Sequence, residues 1–192
     1  LSIYGRDASC DEAQCPIAGQ NDGLQSVETG AQLEFDGVDD YLTVPNVLDP
    51  AATDFTAALW FKRQGGADAP RLLQGTRTWF GIQANGQFYT FLSGSALHHP
   101  DTVSDNSWHH AAVTYAHADQ TLTLYLDGVA VSDTRTVDAN DRAFFLGTQS
   151  AGANHFGGYL DELVFFDRAL TATEVGYLGQ SPWHDASPVY VG

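Results

Sequence analysis

Positive charge is scarce in this chain. Eight Lys and Arg stand against 24 Asp and Glu in 192 residues, a net charge of −16. Such a surface repels a phosphate backbone, so nucleic acid is excluded as a partner; anionic membranes are excluded by the same argument. No run of about 18 apolar residues exists, which excludes a membrane-spanning helix. No charged-then-apolar leader opens the chain, which reads as a mature domain belonging to a larger protein. Cysteine is almost missing. Cys10 and Cys15 are the two present, and neither a second pair nor a histidine pattern follows them, so a structural zinc site is not signalled. A local disulfide in an oxidising compartment is the simpler expectation, two free thiols being the alternative. Closing so small a loop removes little chain entropy, so this bridge would shape a turn rather than hold the fold. Two motifs of hydrolytic chemistry are absent as well: no H-E-x-x-H for zinc and no G-x-S-x-G nucleophile elbow.

What is present is the composition of a globular domain, 43% hydrophobic and 12% aromatic. From Leu33 the apolar pattern has period two. Leu33 with Phe35, Leu42 with Val44, then Phe55, Ala57, Leu59 and Phe61 each put one strand face on a core. Asn85-Gly86 and Asp127-Gly128 sit between such runs, and both dipeptides suit type I′ hairpin turns. Helical pattern is confined to residues 170–178, where Thr171 and Glu174 have capping-box spacing. Many short strands and one late helix predict an all-β sandwich of two antiparallel sheets. Residues 1–30 read as a leader loop, 31–178 as the domain and 179–192 as a C-terminal extension.

Three segments in order carry a resemblance. They are Leu33-Glu34-Phe35-Asp36-Gly37-Val38-Asp39-Asp40-Tyr41-Leu42, then Trp108 to Tyr115 with Leu122 to Gly128, then Gly157 to Leu163 with Phe165 to Leu170. Together they resemble LamG-like jelly-roll domains of the concanavalin A-like lectin/glucanase superfamily. The resemblance implies a curved two-sheet jelly roll, and a structural calcium ion where the first and last core strands meet. It implies no particular ligand, because this fold carries lectins, adhesion modules, glucanases and spacers.

Asp36, Asp39, Asp40 and Asp161 are the calcium candidates, since calcium takes six to eight hard oxygens. In related folds an acidic residue at the position of Asp161 supplies a ligand, and Asp36 is its expected partner. The ion-free alternative has these carboxylates bonding nearby amides, with Arg168 against Asp161 or Asp167. Retaining glucanases of this fold use a Glu-x-Asp-x-Glu cluster with carboxylates about 5 Å apart. Glu12, Glu28, Glu34, Glu162 and Glu174 form no such cluster, so the chain is expected not to be an enzyme.

Trp79 and Tyr89 lie on strands joined at Asn85-Gly86, so their outer faces are adjacent and suited to a sugar ring. Phe91 and Trp60 are further flat surfaces. His98 and His99 are expected on the rim, in a long polar loop over residues 94–106; residues 138–142 and 149–157 are the other expected loops. The expected function is a non-catalytic, calcium-stabilised binding or adhesion module, extracellular or at the cell surface, recognising a glycan or a protein. A structural spacer within a secreted or cell-surface protein is the alternative, and a glycoside hydrolase a distant third.

Overall fold

The period-two segments become strands of two antiparallel sheets. The computed structural model describes residues 17–18, 32–45, 51–75, 78–103, 105–137, 143–149 and 153–180. In chain order the strands are β1 (Ile17–Ala18), β2 (Leu33–Asp36), β3 (Leu42–Pro45), β4 (Phe55–Gly66), β5 (Arg71–Gln74), β6 (Thr78–Ile82) and β7 (Gln87–Leu92). They continue with β8 (Ser95–Thr102), β9 (Trp108–Ala116), β10 (Thr121–Leu126), β11 (Val129–Thr134), β12 (Ala143–Leu146) and β13 (Phe156–Phe166), followed by helix α1 (Ala172–Leu178). One sheet runs β1-β2-β13-β4-β9-β10-β11, the other β3-β12-β5-β6-β7-β8. The predicted two-sheet jelly roll is the observed fold. No helix among the described residues is long and apolar enough to cross a membrane.

Alternation decides what lies between the sheets. Phe35, Leu59, Phe61, Val113 and Leu124 from one sheet meet Phe80, Ile82, Phe88 and Phe144 from the other, all buried in a single cluster. Each such side chain contributes about 1.5–3 kcal/mol by leaving water. Of the apolar positions expected inside, Leu33 is half-buried and packs against this cluster from the edge.

Helix α1 covers a second, smaller cluster on the outer side of the seven-stranded sheet, with Val175 and Leu170 on Ala58, Ala112 and Tyr125. Its capping box forms as the spacing predicts: Thr171 Oγ1 accepts from the Glu174 amide, and Glu174 Oε2 accepts from the Thr171 amide. Arg168 pairs with Glu174 at 2.8 Å, not with Asp161 or Asp167 as the ion-free reading of the sequence has it. Hydrogen bonding from that guanidinium, then from Thr171, lowers the Glu174 pKa from 4.5 to about 2. A lowered carboxylate pKa gives stability that is complete above 4.5 and lost as pH falls toward 2. Thermal melts should therefore show wild type above Glu174→Gln at pH 6, with the gap closing by about pH 2.

Three local expectations change. Asp127 and Gly128 both adopt positive φ, as a type I′ turn requires, but Asn85 is not among the positive-φ residues; only Gly86 is. Gly86 donates to the Gln83 carbonyl, and Gln83 donates to that of Gln87. This is a three-residue loop, a turn followed by a left-handed glycine. Second, residues 95–102 form β8 rather than loop. The strand is polar because it is the edge of its sheet, where Pro100 costs no interior ladder bond. Third, the expected leader contains β1, which pairs Ile17 with Glu34 and Ala18 with Leu33. Cys10, Cys15 and residues 138–142 lie outside the described residues.

Candidate functional site

The outer face of the six-stranded sheet is built by register. In β6, Thr78, Phe80 and Ile82 point inward and are fully buried, so Trp79 and Gly81 face out. Trp79 pairs across with Gln74 on one side and Phe91 on the other; Gly81 pairs with Arg71 and Tyr89; and Tyr89 pairs with His98. These side chains stack as planar groups. Trp79 and Phe91 lie 3.7 Å apart with rings 4° from parallel, and Tyr89 and His98 lie 5.5 Å apart. The Arg71 guanidinium sits between the two pairs, 5.6 Å from the Trp79 ring centre and 5.2 Å from that of Tyr89. Such cation–π placement favours a planar guanidinium.

Glycine at 81 makes this arrangement possible. A Cβ there would stand 2.9 Å from Arg71 Nη1, 3.1 Å from the Pro70 carbonyl oxygen and 3.2 Å from Tyr89 Cε1. The face also concentrates polar atoms that have no hydrogen-bond partner: Arg71 Nε and Nη1, Gln74 Oε1 and Trp79 Nε1. Gln74 is 8% exposed and spends its amide donor on the Gly75 carbonyl. A buried polar atom left unpaired costs about 1–3 kcal/mol, so four on adjacent residues are a concentrated debt. Beyond Tyr89 the face opens into a depression of about 410 Å³, lined by Ala69, Gln83, Ala84, Asn85 and Tyr89.

The turn after β2 holds the acidic group. Asp36, Asp39 and Asp40 bring carboxylate oxygens within 4.8 Å of one another. Asp36 Oδ1 accepts from the Val38 amide at 2.7 Å, and Asp40 Oδ2 accepts from the Asp36 amide at 2.9 Å. Burial pushes the Asp40 carboxyl above the ordinary carboxylate range. The Asp36 amide opposes this, the charges of Asp36 and Asp39 add to it, and His155 opposes it.

The structure puts Trp79 and Tyr89 on one face, as the hairpin that joins their strands predicts, with Tyr89 buried there, and adds His98 from β8, which the sequence reads as loop. It separates others. Asp36 pairs with Gly157, and Asp161 lies four residues further along β13, about 13 Å away at the usual rise. Asp161 is instead beside Trp60, with Oδ1 accepting from the Glu162 amide at 2.7 Å. The expectation that Asp36 and Asp161 share one ion is therefore corrected by register, with Asp40 as the third member of the group. His99 is fully buried rather than on the rim: its side chain alternates to the inner side. There Nδ1 accepts from the Asp101 amide at 3.1 Å, which leaves Nε2 to donate to the Val129 carbonyl at 3.2 Å. Trp60 is on the other sheet, donating to the Leu178 carbonyl beside α1. Arg71, Gln74 and Gly81 carry no signal in the sequence. Leu72 and Leu73 are both buried across a register shift, so β5 lacks the alternation that would have marked its outward residues.

A family model described as the Concanavalin A-like lectin/glucanases superfamily, of laminin G type, matches residues 36–176. A comparison with curated protein sequences finds no match. Among solved structures, the chain is similar to the native heptameric SAP-like pentraxin of Limulus polyphemus, at 14% identity and a TM-score of 0.61, covering 81% of this chain and 84% of that one. It is also similar to domain 4 of an extracellular arabinanase from Geobacillus stearothermophilus, solved in complex with arabinotriose: 20% identity, TM-score 0.62, covering 80% and 78%. A Trypanosoma rangeli sialidase in complex with sialic acid matches at 18% identity and a TM-score of 0.64, covering 81% of this chain but 28% of the sialidase. At these identities the structures share a fold, while the family model spans well over half the sequence. The chain belongs to the laminin G-type family of the concanavalin A-like lectin/glucanase superfamily.

Proposed function

We propose that this chain is a non-catalytic carbohydrate-binding module acting outside the cell, and that it receives a saccharide on the outer face of the six-stranded sheet. The observation that carries this reading is the row of planar side chains on that face, Trp79 with Phe91 and Tyr89 with His98, beside a depression with polar lining. Sugar recognition needs both components: apolar surface for the C–H face of a ring, and fixed donors and acceptors for its hydroxyls. The depression beside Tyr89 adds Gln83 and Asn85 as polar lining. The similarity to an arabinanase domain that was solved in complex with arabinotriose supports the same class. Glycoside hydrolysis needs two carboxylates flanking the bond. The positions that register on this face, Thr43, Phe145, Gln74, Trp79, Phe91, Ala96, Arg71, Gly81, Tyr89 and His98, supply none.

A glycan array probed with wild type, Trp79→Ala and His98→Ala tests this. Loss of the central aromatic should weaken any retained glycan roughly 30-fold, the equivalent of about 2 kcal/mol, in a variant that remains folded at the assay temperature. Undiminished binding by both variants moves the site elsewhere, and retention of no glycan by wild type discards the reading.

The second part of the proposal is a calcium ion at Asp36, Asp39 and Asp40. The donor set fits: three hard carboxylates converge within 4.8 Å, and Asp40 is raised by its burial and then by the charges of its two acidic neighbours. When bound, calcium would neutralise this repulsion and pin the turn between β2 and β3.

A further inference from the structure

Arg71 stands apart from the other arginines whose charge is accounted for. Arg63 faces Asp105 at 3.6 Å, Arg135 faces Asp133 at 2.8 Å and Arg168 faces Glu174 at 2.8 Å. In a chain with three acidic side chains for every basic one, Arg71 has no carboxylate within ion-pair distance among the described residues. Its guanidinium is instead fixed between Trp79 and Tyr89 over the gap left by Gly81, with Nε and Nη1 buried there and unpartnered. A guanidinium held flat by rings loses little freedom when it binds, and its strongest partner is a carboxylate.

We infer that the saccharide taken by this face carries a carboxylate, as uronic and sialic acids do, and that Arg71 is the residue that selects it. This rests on the proposed carbohydrate-binding role and narrows its ligand class. Arg71 meets the carboxylate at the Tyr89 end of the face, where the depression opens, and the aromatic stack supports the ring beyond it. The overall negative charge of the domain opposes such a ligand at long range. With a Debye length of about 8 Å at physiological salt, the nearest cation decides the contact. Gly81 is the positioning residue: a methyl group there displaces Arg71 while leaving its charge in place.

The test is an array carrying neutral, uronate-bearing, sialate-bearing and sulfate-bearing glycans, followed by titration calorimetry of the best hit and of its carboxyl-reduced form. Hits should be dominated by carboxylate-bearing glycans. Arg71→Gln should weaken the acidic hit roughly ten- to hundred-fold, the range of a charge-assisted hydrogen bond, and should weaken its reduced form far less. Arg71→Lys and Gly81→Ala, which keep the charge, should lose most of the same preference. Neutral hits that depend on Trp79 but not on Arg71 would overturn this inference and leave the carbohydrate-binding role standing. Hits confined to sulfated glycans would overturn the carboxylate assignment. No hits at all would remove both.

Discussion

Gly158→Ala is expected to destabilise the protein by about 4 kcal/mol, through two effects that add. Gly158 holds φ at +140°, in the region that side chains rarely adopt. A Cβ there would also overlap the Lys62 carbonyl oxygen and come within 3.0 Å of the Gln64 amide nitrogen. These are backbone atoms of β4, which cannot move aside as a flexible side chain would. The position is a register device: β13 shifts by one residue against β4 between Gly157 and Gly158, so that Gly157 faces Gly65 while Gly158 faces Arg63. Bulges of this kind need a residue free of Cβ where the strands approach. Gly65→Ala is the control, because a Cβ at Gly65 meets nothing within 4 Å, and it should change stability by less than about 1 kcal/mol. Urea unfolding of the three proteins decides the matter, with equal midpoints for Gly158→Ala and wild type as the contradicting result. Should Gly158→Ala fail to accumulate folded while Gly65→Ala does, the direction is the same and the magnitude larger.

The sequence made some of this legible and hid the rest for identifiable reasons. Where a strand has one buried and one solvated face, alternation names its core residues; Phe35, Val44, Phe55, Leu59 and Phe61 are all buried as their period-two spacing predicts. The helix was legible because its cap is chemical and local: Thr171 and Glu174 are three residues apart. Edge strand β8 was not, since its outward residues include His98 and Pro100 and its composition is that of a loop. The candidate sugar face was half visible. Trp79 and Tyr89 could be placed side by side from the hairpin that joins them, but Arg71 enters from a different strand at a register set by an irregularity between Arg71 and Leu73. Asp36 and Asp161 show the converse. Their strands do pair, yet pairing of strands is not pairing of residues, and a four-residue offset separates two carboxylates that composition alone would bring together.

Adding calcium is expected to raise the melting temperature of wild type, and Asp40→Asn is expected to reverse its own sign between calcium and chelator. Asp40 is 8% exposed, and its carboxyl is raised by burial and by the charges of Asp36 and Asp39. For a carboxyl raised in the folded state, the contribution to stability is fully present below its unfolded pKa and is lost as pH rises through the folded pKa. At pH 7 without metal the burial of the Asp40 carboxyl beside Asp36 and Asp39 is therefore a cost. In EDTA, Asp40→Asn removes that cost and should melt at or above wild type, since an amide oxygen can still accept from the Asp36 amide. With calcium bound, the same carboxylate becomes a ligand and the cost becomes a gain. An ion that binds only the folded state stabilises it by about 2.7 kcal/mol at a hundredfold excess over its dissociation constant. Asp40→Asn should then forfeit most of the calcium-induced rise and melt below wild type. Asp161→Asn, about 13 Å along the strand from the residue that pairs with Asp36, should leave the rise intact, which separates this cluster from a site spanning β2 and β13. Melts of the three proteins at pH 7 in calcium and in EDTA measure all of this; superimposable wild-type curves would show that Asp36, Asp39 and Asp40 hold their turn by hydrogen bonds alone.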